Sequence, residues 1–90
     1  MSKKLTDLAK EFVSSSIDAN KFADPYISMW KEERDMGKLS IDGKDVDEAS
    51  STIFCLADCY NPDSDRENYE LDEAGLRKEV KATLEKFKLL

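Results

Sequence analysis

"LDEAGLRKEVKATLEKFK", residues 71 to 88, decides the fold, because it carries the full set of marks of one amphipathic helix. Asp72 stands where an N-cap belongs, flanked by Leu71 and Leu76 at the spacing of a hydrophobic staple. Leu76, Val80, Leu84 and Phe87 then recur on one stripe. Glu73 in the first turn and Lys86 and Lys88 in the last complement the helix dipole.

The same pattern repeats toward the N-terminus. Leu5, Leu8, Ala9, Phe12 and Val13 form the apolar stripe of a helix expected from about Ser2 to Ser14. A second helix is expected over about 19–36, with Asp18 able to cap its first turn and Phe22, Ala23, Tyr26, Ile27, Met29 and Trp30 facing inward. Asp24-Pro25 reads either as a fresh N-cap and N1 pair or as a kink in one helix, and Gly37 stops the run. Phe22, Tyr26 and Trp30 read as core rather than as a ligand cage. After a connection at 37–46 with a turn at Asp42-Gly43, a third helix is expected from an Asp47 cap to about Tyr60. Its stripe is Ala49, Ile53, Leu56, Ala57 and Tyr60; Asp58 lies opposite, and Asn61-Pro62 ends it. With only three glycines and two prolines, the chain lacks the punctuation of a β-architecture. The expected fold is all-α: a compact, mostly antiparallel four-helix bundle, one domain over residues 1–90.

Composition narrows function by exclusion. The chain has no histidine, which removes the commonest general base, the usual zinc nitrogen ligand and the histidine-containing triads. Cys55 and Cys59 lie four apart in a helical pattern, where a bridge would distort the helix, so two free thiols are expected. A metal site on them would need two further ligands of a kind the sequence does not offer. The net charge of −6 is wrong for phosphate-backbone binding and suits a cationic partner. The opening "MSKKLTDLAKEF" is amphipathic rather than leader-like, and no apolar run approaches the ~20 residues of a membrane span. A soluble, cytosolic protein without cofactor, metal or small-molecule ligand, and without enzymatic activity, is the expectation.

Most of the charge is concentrated in one place. Residues 61–75 hold six carboxylates (Asp63, Asp65, Glu67, Glu70, Asp72, Glu73) against one cation, Arg66, a net of −5. An EF-hand does not fit: counted from Asp63, position 6 is Asn68 instead of glycine and position 12 is Ala74 instead of glutamate. Paired-carboxylate catalysis needs a cleft that a small bundle does not provide. Asp72 and Glu73 are explained as a helix start, which leaves Asp63, Asp65, Glu67 and Glu70 without a folding reason. Exposed ion pairs are worth only ~0.2–1 kcal/mol, whereas close charge pairs across an interface reach ~1.5–7 kcal/mol. Magnitude therefore favours a surface for a basic protein partner over an uninformative acidic loop. Arg66 and Tyr69 have two readings: Arg66 neutralising its neighbours and Tyr69 plugging the bundle end, or both meeting the partner.

The string "YNPDSDRENYELDEAGLRKEVKATLEKFKLL" resembles the C-terminal third of colicin D-type immunity proteins, through P-D-x-D-R-x-N-Y-E-[LI]-D-[ED]-x-G-L and the closing L-E-K-F-K-L. "DLAKEFVSSSIDANKF" is more loosely similar to that family's first helix and following turn. The resemblance implies a small helical inhibitor that blocks the active site of a basic, tRNA-cleaving toxin domain, its exposed carboxylates standing in for RNA phosphates. It carries that role to Asp58, Asp63 and Asp65, and places Arg66, Asn68, Tyr69 and Glu70 in the shared motif; Asn61 stands where the family can have a carboxylate. With Glu67 from the acidic segment, the expected toxin-binding set is Asp58, Asp63, Asp65, Arg66, Glu67, Tyr69 and Glu70. No direct contact with nucleic acid or membrane is implied. The rival function is an acidic helical adaptor for a non-toxin basic partner.

Overall fold

A computed structural model describes residues 3–37 and 43–90. Among these residues the chain forms α1 (Lys3–Val13), α2 (Ala19–Asp35), α3 (Lys44–Asp58) and α4 (Glu73–Lys86), with no strand. The all-α bundle expected from the four stripes is what the chain adopts. α2 packs on α1 and α3, α4 packs on the same two helices, and α2 and α4 also touch each other. One core fills the centre: Leu5, Ala9 and Phe12; Phe22, Ala23 and Tyr26; Ile53 and Ala57; Leu76, Val80 and Leu84. Phe12 and Phe22 stack with ring centroids 4.4 Å apart, joining α1 to α2, and Trp30 stacks on Phe54 at 4.1 Å, joining α2 to α3. The Tyr26 hydroxyl donates to the Ser50 carbonyl at 3.0 Å, which satisfies the one polar atom this buried ring brings inside.

Local rules explain most helix ends. Asp18 caps α2 by accepting from Lys21 N–H, and Asp72 caps α4 by accepting from Gly75 N–H at 2.7 Å. α1 closes in a Schellman turn: Ser15 N–H donates to Phe12 O and Ser16 N–H to Glu11 O, with Ser15 left-handed at φ 67°. α4 ends the same way around Lys88, at φ 58°.

One pair of alternatives is resolved and two expectations are corrected. α2 is one helix through Pro25, with Asp24 inside it instead of capping a new one. Phe22, Ala23 and Tyr26 flank the proline on the core face, and burying all three outweighs the ~3 kcal/mol of a proline in a helix interior. α3 begins at Lys44 behind Gly43 (φ 103°), a turn earlier than an Asp47 cap would give, and ends at Asp58. The extra turn lets Val46 reach the core and puts Asp45 and Asp47 at the positive end of the helix dipole. Phe87 caps α4 at the core's margin, and Leu89, brought round by the Schellman turn, packs on the core instead. The expected helix start at Ser2 and the Asp42 half of the expected turn lie outside the described residues.

Candidate functional site

α3 and α4 are joined by residues 59–72, a segment closed at its neck like a loop of rope. Asn61 N–H donates to Leu71 O at 2.9 Å and Leu71 N–H donates to Cys59 O at 2.8 Å, a short parallel pairing that brings the two ends together. Tyr60 and Leu71 pack beneath it against the bundle core. The loop's contents are thereby held at one end of the molecule, next to the C-terminus of α3.

Inside the loop, Asn61 is a hub. Its side-chain oxygen accepts from Asp63 N–H at 2.9 Å, and its Nδ2 lies 3.3 Å from both Asp65 Oδ1 and Glu70 Oε1. Glu70 Oε1 also accepts from Glu67 N–H at 2.9 Å, and Glu70 N–H donates to Glu67 O. Arg66 folds back, but onto backbone: Nη1 donates to Asn61 O at 3.2 Å and to Asp63 O at 2.9 Å. The reading of Arg66 as a neutraliser of neighbouring carboxylates is corrected, since among the described residues it forms no ion pair. Tyr69 does not plug the bundle end either; it is 72% exposed on the loop surface.

The seven residues expected to bind the toxin thus lie on or beside one loop and divide by what their side chains touch. Asp65 and Glu70 are held by Asn61, and Arg66 braces the backbone. Asp58, Asp63 and Glu67 are exposed, and their carboxylates have no hydrogen bond or ion pair among the described residues. Asp58 is also in the last turn of α3, where no basic residue accompanies it and the helix dipole disfavours an anion by ~0.3–1 kcal/mol. Two groups at the neck register this negative field. The Cys59 thiol is pushed up from its ordinary pKa by burial, then by Asp58, Cys55 and Glu70. The Tyr60 hydroxyl is pushed up by burial, then by Glu73, Asp18 and Asp63. Both cysteines are free thiols, and no group of three or more His, Cys, Asp or Glu among the described residues is placed to hold a metal.

Sequence reasoning misses two features here. Asn61 reads as the residue that ends α3 before Pro62 and, through the resemblance, as a place where the family can have a carboxylate, but not as the holder of the loop, although an asparagine two residues before Asp63 is a signature of the Asx turn it makes. Glu73 reads only as a first-turn acid. Its Oε1 in fact accepts from Ala19 N–H at 2.7 Å, pinning the start of α4 to the start of α2. Arg77, one turn on, reaches Phe12 O and Ile17 O and covers the Phe12 ring at 4.7 Å, so this end of the bundle is locked around the α1–α2 turn.

Fold and site together define a class: a small all-α domain presenting a braced acidic loop. The family described as "Bacterial self-protective colicin-like immunity" matches residues 1–87 of the 90, and the chain belongs to that family. It is an immunity protein, protecting its bacterium against a colicin-like toxin, and that toxin protein is its partner. Immunity proteins inhibit their toxins and catalyse nothing themselves. No individual curated protein matches the chain. No helix among the described residues is long and apolar enough to cross a membrane.

Proposed function

We propose that the protein blocks the active site of a cationic ribonuclease toxin, of the tRNA-cleaving kind, with the acidic surface over residues 58–70. The observation that carries this reading is the set of exposed carboxylates on Asp58, Asp63 and Glu67, unpartnered among the described residues, standing on a loop whose backbone is braced. A nuclease cleft built for RNA presents lysine and arginine where phosphates lie, and separate carboxylates can occupy those positions. Asp65 and Glu70 add charge to the same face, and Tyr69 offers a rigid ring of the type that anchors interfaces. Arg66 serves from behind, by shaping the loop. The site of action is the cytoplasm, where transfer RNA is.

Charge reversal tests the reading. The double variant Asp58→Lys with Asp63→Lys keeps the helical circular dichroism and slows association with the cognate toxin at least ~10-fold at low ionic strength. The deficit shrinks as salt shortens the ~8–10 Å screening length. Co-expression with the toxin then fails to rescue growth. Unchanged affinity at both low and high salt would refute charge mimicry, and rescue by neither wild type nor variant against any nuclease toxin would point to a colicin-like toxin of another class.

A further inference from the structure

We propose that Asn61 is the positioning residue of the toxin-facing surface: its side-chain amide allows the carboxylates of Asp65 and Glu70 to stand together and fixes the direction of the loop between them. The inference rests on the reading that residues 58–70 face the toxin, and it adds the residue that gives this face its shape. Asp65 Oδ1 and Glu70 Oε1 both approach Asn61 Nδ2 at 3.3 Å, so two anions converge on one NH2 group, with no cation from the described residues between them. An amide supplies two N–H donors on one nitrogen, matching two acceptors, and an acceptor on its other atom. Here that acceptor takes Asp63 N–H at 2.9 Å, and the residue's own backbone closes the loop neck through Leu71. No other uncharged side chain of this size offers both donors and acceptor. A carboxylate in the same place would keep the bond to Asp63 N–H but turn two attractions into two repulsions.

Net charge and position therefore predict opposite outcomes for Asn61→Asp, an almost isosteric change. The variant adds one negative charge to a face that meets a cation, so simple attraction predicts faster and tighter binding. If Asn61 positions the loop, Asp65 and Glu70 are expelled and affinity for the toxin falls by about tenfold, the loss expected for hydrogen bonds to charged groups. The free protein supplies a readout that needs no toxin: the amide resonances and hydrogen-exchange protection of Asp63, Glu67 and Glu70 shift in the variant, while those of the four helices do not. A second variant, Asn61→Asp with Asp65→Asn, keeps the wild-type net charge and restores a donor–acceptor pair between positions 61 and 65 in reversed sense; it recovers part of the lost affinity and loop protection. An unaltered loop spectrum in Asn61→Asp, or binding as tight as or tighter than wild type, overturns the proposal. Should the Asp58→Lys/Asp63→Lys protein bind normally while Asn61→Asp still disorganises the free loop, the toxin-facing reading fails and the positioning role stands.

Discussion

Glu73→Ala separates the carboxylates that build the fold from those that do not. Glu73 Oε1 accepts from Ala19 N–H at 2.7 Å, and Oε2 lies 3.8 Å from Arg77 Nη1. Ala19 is fully buried and is the first residue of α2, so its N–H is one of the helix-end donors without an intrahelical partner. A hydrogen bond to a charged group contributes ~1.5–3 kcal/mol. The pair with Arg77 is long and its Glu73 side is 45% exposed, which holds it to the ~0.3–0.5 kcal/mol of a surface i,i+4 pair. Alanine should therefore cost about 2–3 kcal/mol, a fall of roughly 10–20 °C in Tm for a domain of this size. Glutamine, whose oxygen still accepts but without charge, should cost about 1 kcal/mol. Urea unfolding followed at 222 nm measures both, and Glu67→Gln, at an exposed carboxylate without a partner, should stay within ~0.5 kcal/mol of wild type. A Glu73→Ala protein equally close to wild type, with an unchanged m-value, would refute the idea that Glu73 ties α4 to α2.

Two further outcomes follow from the backbone and the core. Ser15 is left-handed at φ 67° in the Schellman turn after α1 and is exposed, so Ser15→Gly should raise stability by about 0.5–1 kcal/mol in the same unfolding assay. Burial, with a contribution from Glu33, pushes the Tyr26 hydroxyl far above the ordinary tyrosine range. Its folded-state pKa is raised, so this stabilisation is complete below the unfolded value of ~10 and is lost as pH climbs beyond it, at ~1.4 kcal/mol per pH unit. Tyr26→Phe should flatten the alkaline limb of a stability–pH curve by about that slope, leaving the slope from Tyr60 and Cys59; an unaltered limb would show that Tyr26 ionises freely in the folded protein.

Features governed by neighbours in sequence are legible in the residues themselves. The four stripes, the Asp18 and Asp72 caps and the exposure of Asp58 all follow from periods and cap chemistry within one or two turns. What escapes such a reading depends on partners far along the chain. Pro25 reads equally as a boundary or as a kink until Phe22 and Tyr26 are known to share a core with Phe12. The start of α3 turns on where Val46 can be buried, and Glu73 gains its second role only from Ala19, 54 residues away. At the site, the sequence marks an excess of charge, but which carboxylates are held depends on where one asparagine amide points.

That distinction bears on how an acidic face can be ready for a toxin. Seven carboxylates lie between Asp58 and Glu73, and the structure gives them three situations. Asp72 and Glu73 belong to the bundle, Asp65 and Glu70 to the loop's internal bonding, and Asp58, Asp63 and Glu67 to solvent. Had Arg66 paired with a neighbouring carboxylate, it would have gained at most ~0.2–1 kcal/mol and neutralised the surface it sits in. Bonded to the carbonyls of Asn61 and Asp63, it stiffens the loop and leaves the exposed anions uncompensated. Association commonly loses ~0.5–1.5 kcal/mol for each flexible side chain it must immobilise, with more for an unordered loop. A backbone already braced by Arg66 and Asn61 avoids the loop's share of that loss, so that, on the proposed function, the attraction of the Asp58, Asp63 and Glu67 carboxylates for a cationic cleft can appear as binding. On that reading, charge alone would draw the toxin in, and charge on a fixed loop would also hold it in one register.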